Sequence, residues 1–165
     1  MSVAESAVVS SDIADAISLP AELESARVLA LATGLPYAGG VPPTVAWELF
    51  SSGVVQLIDV RTVEERKFVG HVPNTAHVPW ATGTSLTRNP RFVRELEAKV
   101  GGKDAVVLLL CRSGKRSALA AEAAAKAGFS RVFNVLEGFE GELDAKQHRA
   151  GTDGWQFHQL PWVQD

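Results

Sequence analysis

The chain has one cysteine, Cys111, and that scarcity already removes several kinds of chemistry. A single thiol can neither close an internal disulfide nor form a two-cysteine redox pair. Basic residues are missing where a targeting segment needs them. None precedes Arg27, while Glu5, Asp12 and Asp15 do, so the N-terminus matches neither a secretory signal nor an Arg-rich transit peptide. No apolar run approaches the roughly 20 residues that span a bilayer. An excess of cations is absent too: 16 Lys and Arg stand against 19 Asp and Glu, a net charge of -3. Binding to nucleic acid or to an anionic membrane surface is therefore not expected. The four histidines, His71, His77, His148 and His158, lack zinc-ligand spacing with the lone thiol, so neither a metal nor a cofactor is predicted. The expectation is a cytoplasmic protein with one free thiol.

What is present is an ordinary globular composition, 46% hydrophobic and 21% charged over 165 residues. A domain of this size buries roughly 70% of the surface its unfolded chain exposes. Residues 1–40 read as a helical extension and linker, and residues 41–165 as the globular domain. Within the extension, a helical turn is expected over 11–18. A second helix follows from Pro20, with Leu23, Ala26, Ala30 and Leu31 on one side and Gly34 as its stop. The segment PYAGGVPP at 36–43 is dense in turn residues and reads as the linker.

Helices and apolar strands then alternate. Thr44 is placed to cap a helix through Ser52 with Val45, Trp47 and Leu49 inward, and VVQLIDV (54–60) is a buried strand. A charged loop from Arg61 leads to a short strand at 76–78. Phe92, Val93, Leu96 and Val100 recur at helical spacing up to Gly101. AVVLLL (105–110) is apolar without alternation, as a central parallel strand covered on both faces should be. An Ala-rich helix at 117–128 and a strand at 131–136 follow. This order predicts an α/β domain with a mainly parallel sheet and helices on both faces, whose ligands bind beyond the C-terminal strand ends.

Cys111 stands at that end of the central strand and opens the loop CRSGKRS. Backbone N–H groups in a tight loop entering a helix N-terminus form an anion-binding concavity, and Gly114 lets the backbone curl. Arg112, Lys115 and Arg116 add positive charge, and no acidic residue lies between Asp104 and Glu122. Ser113 and Ser117 add hydroxyl donors. A cysteine closing an apolar strand is most often a plain core residue. Three cations, a glycine and a helix start directly behind it favour a reactive thiolate instead.

Several segments together resemble the rhodanese homology domain, from about Val41 to Trp162. They are DVR at 59–61 with Glu65 after it, GHVPNTAHVP at 70–79, AVVLLLCRSGKRS, the turn LEGFEG at 136–141 and the ending GWQFHQLPW. The resemblance implies a five-stranded parallel sheet flanked by helices. It also implies a sulfurtransferase of the thiosulfate type, in which Cys111 takes sulfane sulfur from a small anionic donor as a persulfide and passes it to a thiol, a protein acceptor or cyanide. By the same resemblance, backbone groups of Arg112, Ser113, Gly114, Lys115, Arg116 and Ser117 cradle the persulfide and the three cations bind the donor. Asp59 and Arg61 brace the loop, and Lys67 reaches in from a neighbouring loop. Trp47, Trp80, Trp155 and Trp162 read as core or lid packing, with Trp80 near enough in the resemblance to line the entrance. His71 holds loop geometry.

Two other readings have weight. A phosphatase or arsenate reductase of related fold needs a loop one residue longer with arginine six positions after the cysteine, where this chain has Ser117. A persulfide carrier serving one protein partner has the same chemistry at Cys111 and differs only in its acceptor.

Overall fold

The apolar run that ends at the cysteine forms the middle of a five-stranded parallel sheet, in a computed structural model that describes residues 18–165. The turn expected over 11–18 lies, apart from Ser18, outside the described residues. In chain order the elements are α1 (Ala21–Thr33), β1 (Gly39–Val41), α2 (Pro43–Ser51), β2 (Gln56–Asp59), α3 (Val63–Phe68), β3 (Ala76–His77), β4 (Ala81–Thr82), β5 (Thr87–Arg88), α4 (Phe92–Val100), β6 (Val107–Leu110), α5 (Lys115–Lys126) and β7 (Val132–Val135). The strand order is β1-β7-β6-β2-β3, and every neighbouring pair is parallel. β4 and β5 form a separate antiparallel hairpin. Among the described residues no helix is long and apolar enough to cross a membrane.

Strand alternation divides the core between the two faces of the sheet. Val107 and Leu109 of β6 pack with Phe92, Leu96 and Val100 of α4 and with Ala120, Ala121 and Ala124 of α5. Leu108 and Leu110 pack the other way, with Leu23 of α1 and with Ala46 and Leu49 of α2. The same alternation sends Cys111, the next residue, to the α4–α5 side.

Several stretches differ from the sequence expectation. The helix expected behind a Thr44 cap begins at Pro43, with Pro42 as its N-cap, because proline fits the first helical turn. Part of the supposed linker is a strand: β1 pairs with β7, Gly39 opposite Phe133 and Val41 opposite Val135. Its glycines serve close approach, since a Cβ on Gly39 would lie 2.7 Å from the Ala26 carbonyl oxygen of α1. Part of the charged loop after Arg61 is the helix α3. Its first turn is closed by a capping box, in which the Glu65 N–H donates to Thr62 Oγ1 at 3.1 Å and the Thr62 N–H donates to Glu65 Oε1 at 3.0 Å.

Glu65 also ties α3 to α5. Its two carboxylate oxygens each accept a hydrogen bond of 2.8 Å from Arg116, a forked pair only partly exposed to solvent. Burial pushes the Glu65 carboxyl up, but hydrogen bonds from Arg116 and the Thr62 backbone, with the charges of Arg116 and Arg61, outweigh it and hold it at about 2. A carboxyl depressed from its ordinary 4.5 stabilises the fold fully above that pH and loses this contribution as pH falls through about 2. We therefore expect urea unfolding to show that the native chain loses about 1–3 kcal/mol more than Glu65→Gln between neutral pH and the acid limit, after allowance for solvent screening. Identical acid sensitivity in the two proteins would rule the clamp out as a stabilising contact.

Candidate active site

β6 delivers Cys111 to the point where the crossovers of the sheet diverge, with β2 on one side and β7 on the other. The thiol is 1% exposed. Two donors reach Sγ: the Gly114 N–H at 3.1 Å and the Ser117 hydroxyl, whose oxygen is 3.2 Å away. Gly114 has φ +97°, a left-handed conformation that a side chain resists. That conformation turns its N–H toward the sulfur and makes Gly114 the N-cap of α5. Hence the helix starts at Lys115, two residues before the sequence expectation, and its positive end faces the thiol.

The carbonyls of the loop are held from below by the turn after β7. The Phe139 N–H donates to the Cys111 carbonyl at 2.7 Å, and the N–H groups of Glu140 and Gly141 donate to the Arg112 carbonyl at 2.9 and 3.1 Å. Gly138 is obligatory here, because a Cβ would sit 2.4 Å from the Arg112 carbonyl and 2.5 Å from the Ser113 nitrogen. From β7, Asn134 Nδ2 donates to the Gly114 carbonyl at 3.1 Å, and its Oδ1 accepts from the Ser117 hydroxyl. All of these partners are backbone or neighbouring strand, so the loop is held as a unit.

Asp59 and Arg61 lie fully buried beside it. Arg61 donates from Nη2 to Asp59 at 2.8 Å and to the Gly70 carbonyl at 2.7 Å, and its guanidinium carbon is 4.3 Å from the centre of the Phe139 ring. Its link to the cysteine loop therefore runs through Phe139. Burial pushes the Asp59 carboxyl up, but the charge and hydrogen bonds of Arg61, with the charge of Arg66, leave it below the usual range. Arg66 adds a second bond to Asp59 at 3.0 Å.

A cavity of about 350 Å³ opens over the loop, bounded by Thr62, Glu65, Val69, Arg112, Arg116 and Glu140 among others. The positive charge expected here is unevenly delivered. Arg112 faces the cavity, and its Nε, although buried, has no hydrogen-bond partner among the described residues. Arg116 lines the cavity but is committed to Glu65. Lys115 is 78% exposed with its Nζ 3.9 Å from Glu142, so its ammonium is turned to solvent while Ser117, two residues on in the same turn of α5, faces the sulfur. Lys67 is likewise outside: it is exposed on α3, its Nζ 6.0 Å from the Phe68 ring centre, and it does not line the cavity. Ser113 is half-buried in the loop. Trp80 packs in the core, as most tryptophans of the chain are expected to, edge-on against Phe92 with Arg88 stacked on its ring 3.8 Å away, and it does not line the cavity. His71 pairs through its backbone with Val163, at 2.8 and 2.9 Å.

Glu65, Asn134, Phe139 and Glu140 did not enter the sequence reading as site residues. Glu65 was signalled by the pattern Thr62-x-x-Glu65, and Asn134 by being the polar residue inside the buried strand VFNV. Glu140, on the cavity wall, is pushed up by burial, an effect offset in part by the charges of Arg61 and Arg112. Nothing local to the sequence distinguished it.

The rhodanese-like domain family profile matches residues 42–144. The crystal structure of Rv0390 from M. tuberculosis is 42% identical, superposes with a TM-score of 0.70 and covers 78% of this chain and 99% of that one. The uncharacterized protein RP600 of Rickettsia prowazekii is 36% identical over 107 residues, 64% of this chain and 80% of its own length. Thiosulfate sulfurtransferase 16, a chloroplastic protein of Arabidopsis thaliana, is 32% identical over 101 residues, 60% of this chain and 82% of its own. A parallel sheet that presents one thiol at its central strand end, together with a profile match over more than half the length, identifies the chain as a member of the rhodanese-like domain family, a family of sulfur-transfer proteins.

Proposed function

We propose that this protein is a sulfurtransferase that carries sulfane sulfur on Cys111 as a persulfide. The observation that carries the reading is the cradle at Sγ: the Gly114 N–H and the Ser117 hydroxyl on the sulfur, at the positive end of α5 and beside the cavity that Arg112 faces. Such a setting stabilises negative charge on sulfur and draws an anion to it.

With thiosulfate as donor, the Cys111 thiolate attacks the outer sulfur. A new S–S bond forms, the S–S bond of thiosulfate breaks, and its electron pair leaves with sulfite. Cyanide or a thiolate then attacks the outer persulfide sulfur, leaving as thiocyanate or as a new persulfide and returning Cys111 to its starting state. No oxidant or cofactor enters either half. Ser117 at the sixth position after the cysteine, with the neighbouring Arg116 committed to Glu65, argues against the phosphatase reading, which needs a free guanidinium at that sixth position.

Intact-mass measurement after brief thiosulfate exposure should show a gain of one sulfur mass, reversed by cyanide and absent from Cys111→Ser. No mass gain in the native chain would refute sulfur loading from this donor. Rapid loading followed by very slow discharge to small thiols would assign the carrier role, and rapid discharge the general enzyme.

The uneven charge gives a second expectation. Arg112→Ala should raise the thiosulfate concentration needed for half-maximal loading by roughly tenfold, the loss of one charge-assisted hydrogen bond of about 1.4 kcal/mol. Lys115→Ala, whose ammonium is turned to solvent, should change it less than about twofold. Equal effects of the two variants would contradict this assignment of the donor-binding cation.

A further inference from the structure

We propose that Asn134 is a positioning residue that governs when Cys111 ionises, by competing with the thiolate for the single proton of the Ser117 hydroxyl. The competition concerns the resting thiol and holds whichever sulfur donor follows.

Asn134 is 3% exposed in the middle of β7, and Ser117 is 0% exposed, so bulk water does not reach either side chain. The orientation of the Asn134 amide is set by the Gly114 carbonyl, which can only accept and therefore faces Nδ2, at 3.1 Å. Oδ1 is left pointing at Ser117, and Oδ1 can only accept. Ser117 has one proton to give. Its oxygen lies within hydrogen-bond distance of both Oδ1 and Cys111 Sγ, the latter at 3.2 Å.

Two arrangements satisfy the chemistry to different degrees. With Cys111 as a thiol, S–H donates to Ser117 Oγ and Ser117 O–H donates to Asn134 Oδ1, so every group in the line is paired. With Cys111 as a thiolate, Ser117 must turn its O–H onto the sulfur, and Asn134 Oδ1 is then buried without a donor. The Gly114 N–H serves Sγ in both arrangements. Asn134 thus opposes ionisation through Ser117, and the hydroxyl returns to Oδ1 whenever the sulfur becomes neutral again, as the inner sulfur of a persulfide is.

The charged groups around Cys111 act in parallel with this exchange. On its own loop and α5 they are Arg112 and Arg116, the latter held by Glu65 of α3. At the end of β2 stand Asp59 and Arg61, paired with each other, and on the turn after β7 stands Glu140. None of them hydrogen-bonds Sγ, and substituting Asn134 by a neutral residue leaves all of them in place.

The test is the rate of iodoacetamide alkylation of the full chain against pH, which reads the thiol without any sulfur donor and so stays informative if sulfur loading itself fails. In Asn134→Val the Ser117 proton is free for the sulfur, and the midpoint of the profile should fall by about half to one pH unit, a roughly 3–10-fold faster reaction on its acid side. The Gly114 carbonyl keeps the Ala118 N–H at 3.3 Å in that variant. Asn134→Asp retains an acceptor and adds charge, so its midpoint should rise. In a Ser117→Ala background, Asn134→Val should leave the midpoint where Ser117→Ala alone puts it. Asn134→Leu, which keeps the branched shape of asparagine without an acceptor, guards against a valine variant that fails to fold and should shift the profile in the same direction as it. A shift of the same sign in Asn134→Val and Asn134→Asp, or a shift undiminished without Ser117, would overturn the proposal and reduce Asn134 to a packing residue.

Discussion

At Gly114 the backbone takes a left-handed turn that no other residue in the loop makes, and a single N–H is aimed at Cys111 Sγ as a result. That conformation also decides where α5 begins, because a chain leaving Gly114 enters the helix at Lys115. Sulfur and helix are thereby locked into one geometry. The turn 138–141 maintains it by taking up the Cys111 and Arg112 carbonyls, and the backbones come so close there that Gly138 has no room for a side chain. Losing the Phe139 bond would free the Cys111 carbonyl, and losing those of Glu140 and Gly141 together would free the Arg112 carbonyl, so the site depends on the second turn as much as on the first.

The charges around the loop sort into those that fix the architecture and those that face the cavity. Asp59, Arg61 and Arg66 form a buried network between β2 and α3, where a lone ion would be costly and a paired one is tolerable. Arg61 extends this network to the loop through the Phe139 ring, a contact by an aromatic face instead of a hydrogen bond. Glu65 takes the Arg116 guanidinium, which offsets a cation placed in the first turn of a helix whose dipole disfavours it. Arg112 is then the guanidinium on the cavity wall without a carboxylate within salt-bridge distance among the described residues. A cradle that looks strongly cationic as a string of letters is close to balanced in space.

That contrast explains what the sequence made legible. The sheet, the central strand and the position of the thiol follow from local apolar runs and from one strand–loop–helix junction, all of them contiguous in the chain. The motif order from DVR to LPW extended that reading to the whole domain. What escaped was of two kinds. β1 is hidden because Gly39 and Gly40 resemble a linker, and their purpose becomes visible only once Ala26 of α1 is placed against Gly39 and Leu136 against Gly40. Glu65, Asn134 and Phe139 meet the loop from α3, β7 and the turn after it, so their roles are properties of packing across the sheet. The Thr62–Glu65 capping pattern is present in the sequence, but its charged neighbours give the segment the look of a solvated loop. Lys67 and Lys115 are the opposite case: both stand near the site in sequence while their side chains turn to solvent, a direction that sequence proximity does not give.

The account stands on the sulfur of Cys111 being the atom that the Gly114 amide and the Ser117 hydroxyl face. Amide-resonance spectra of the isotope-labelled chain, recorded before and after loading with one sulfur, test this most directly. The expected result is that the largest displacements fall within residues 111–117, with the Gly114 amide foremost, while α1 and β1 are unmoved. A fully loaded protein whose Gly114 amide does not shift would contradict it.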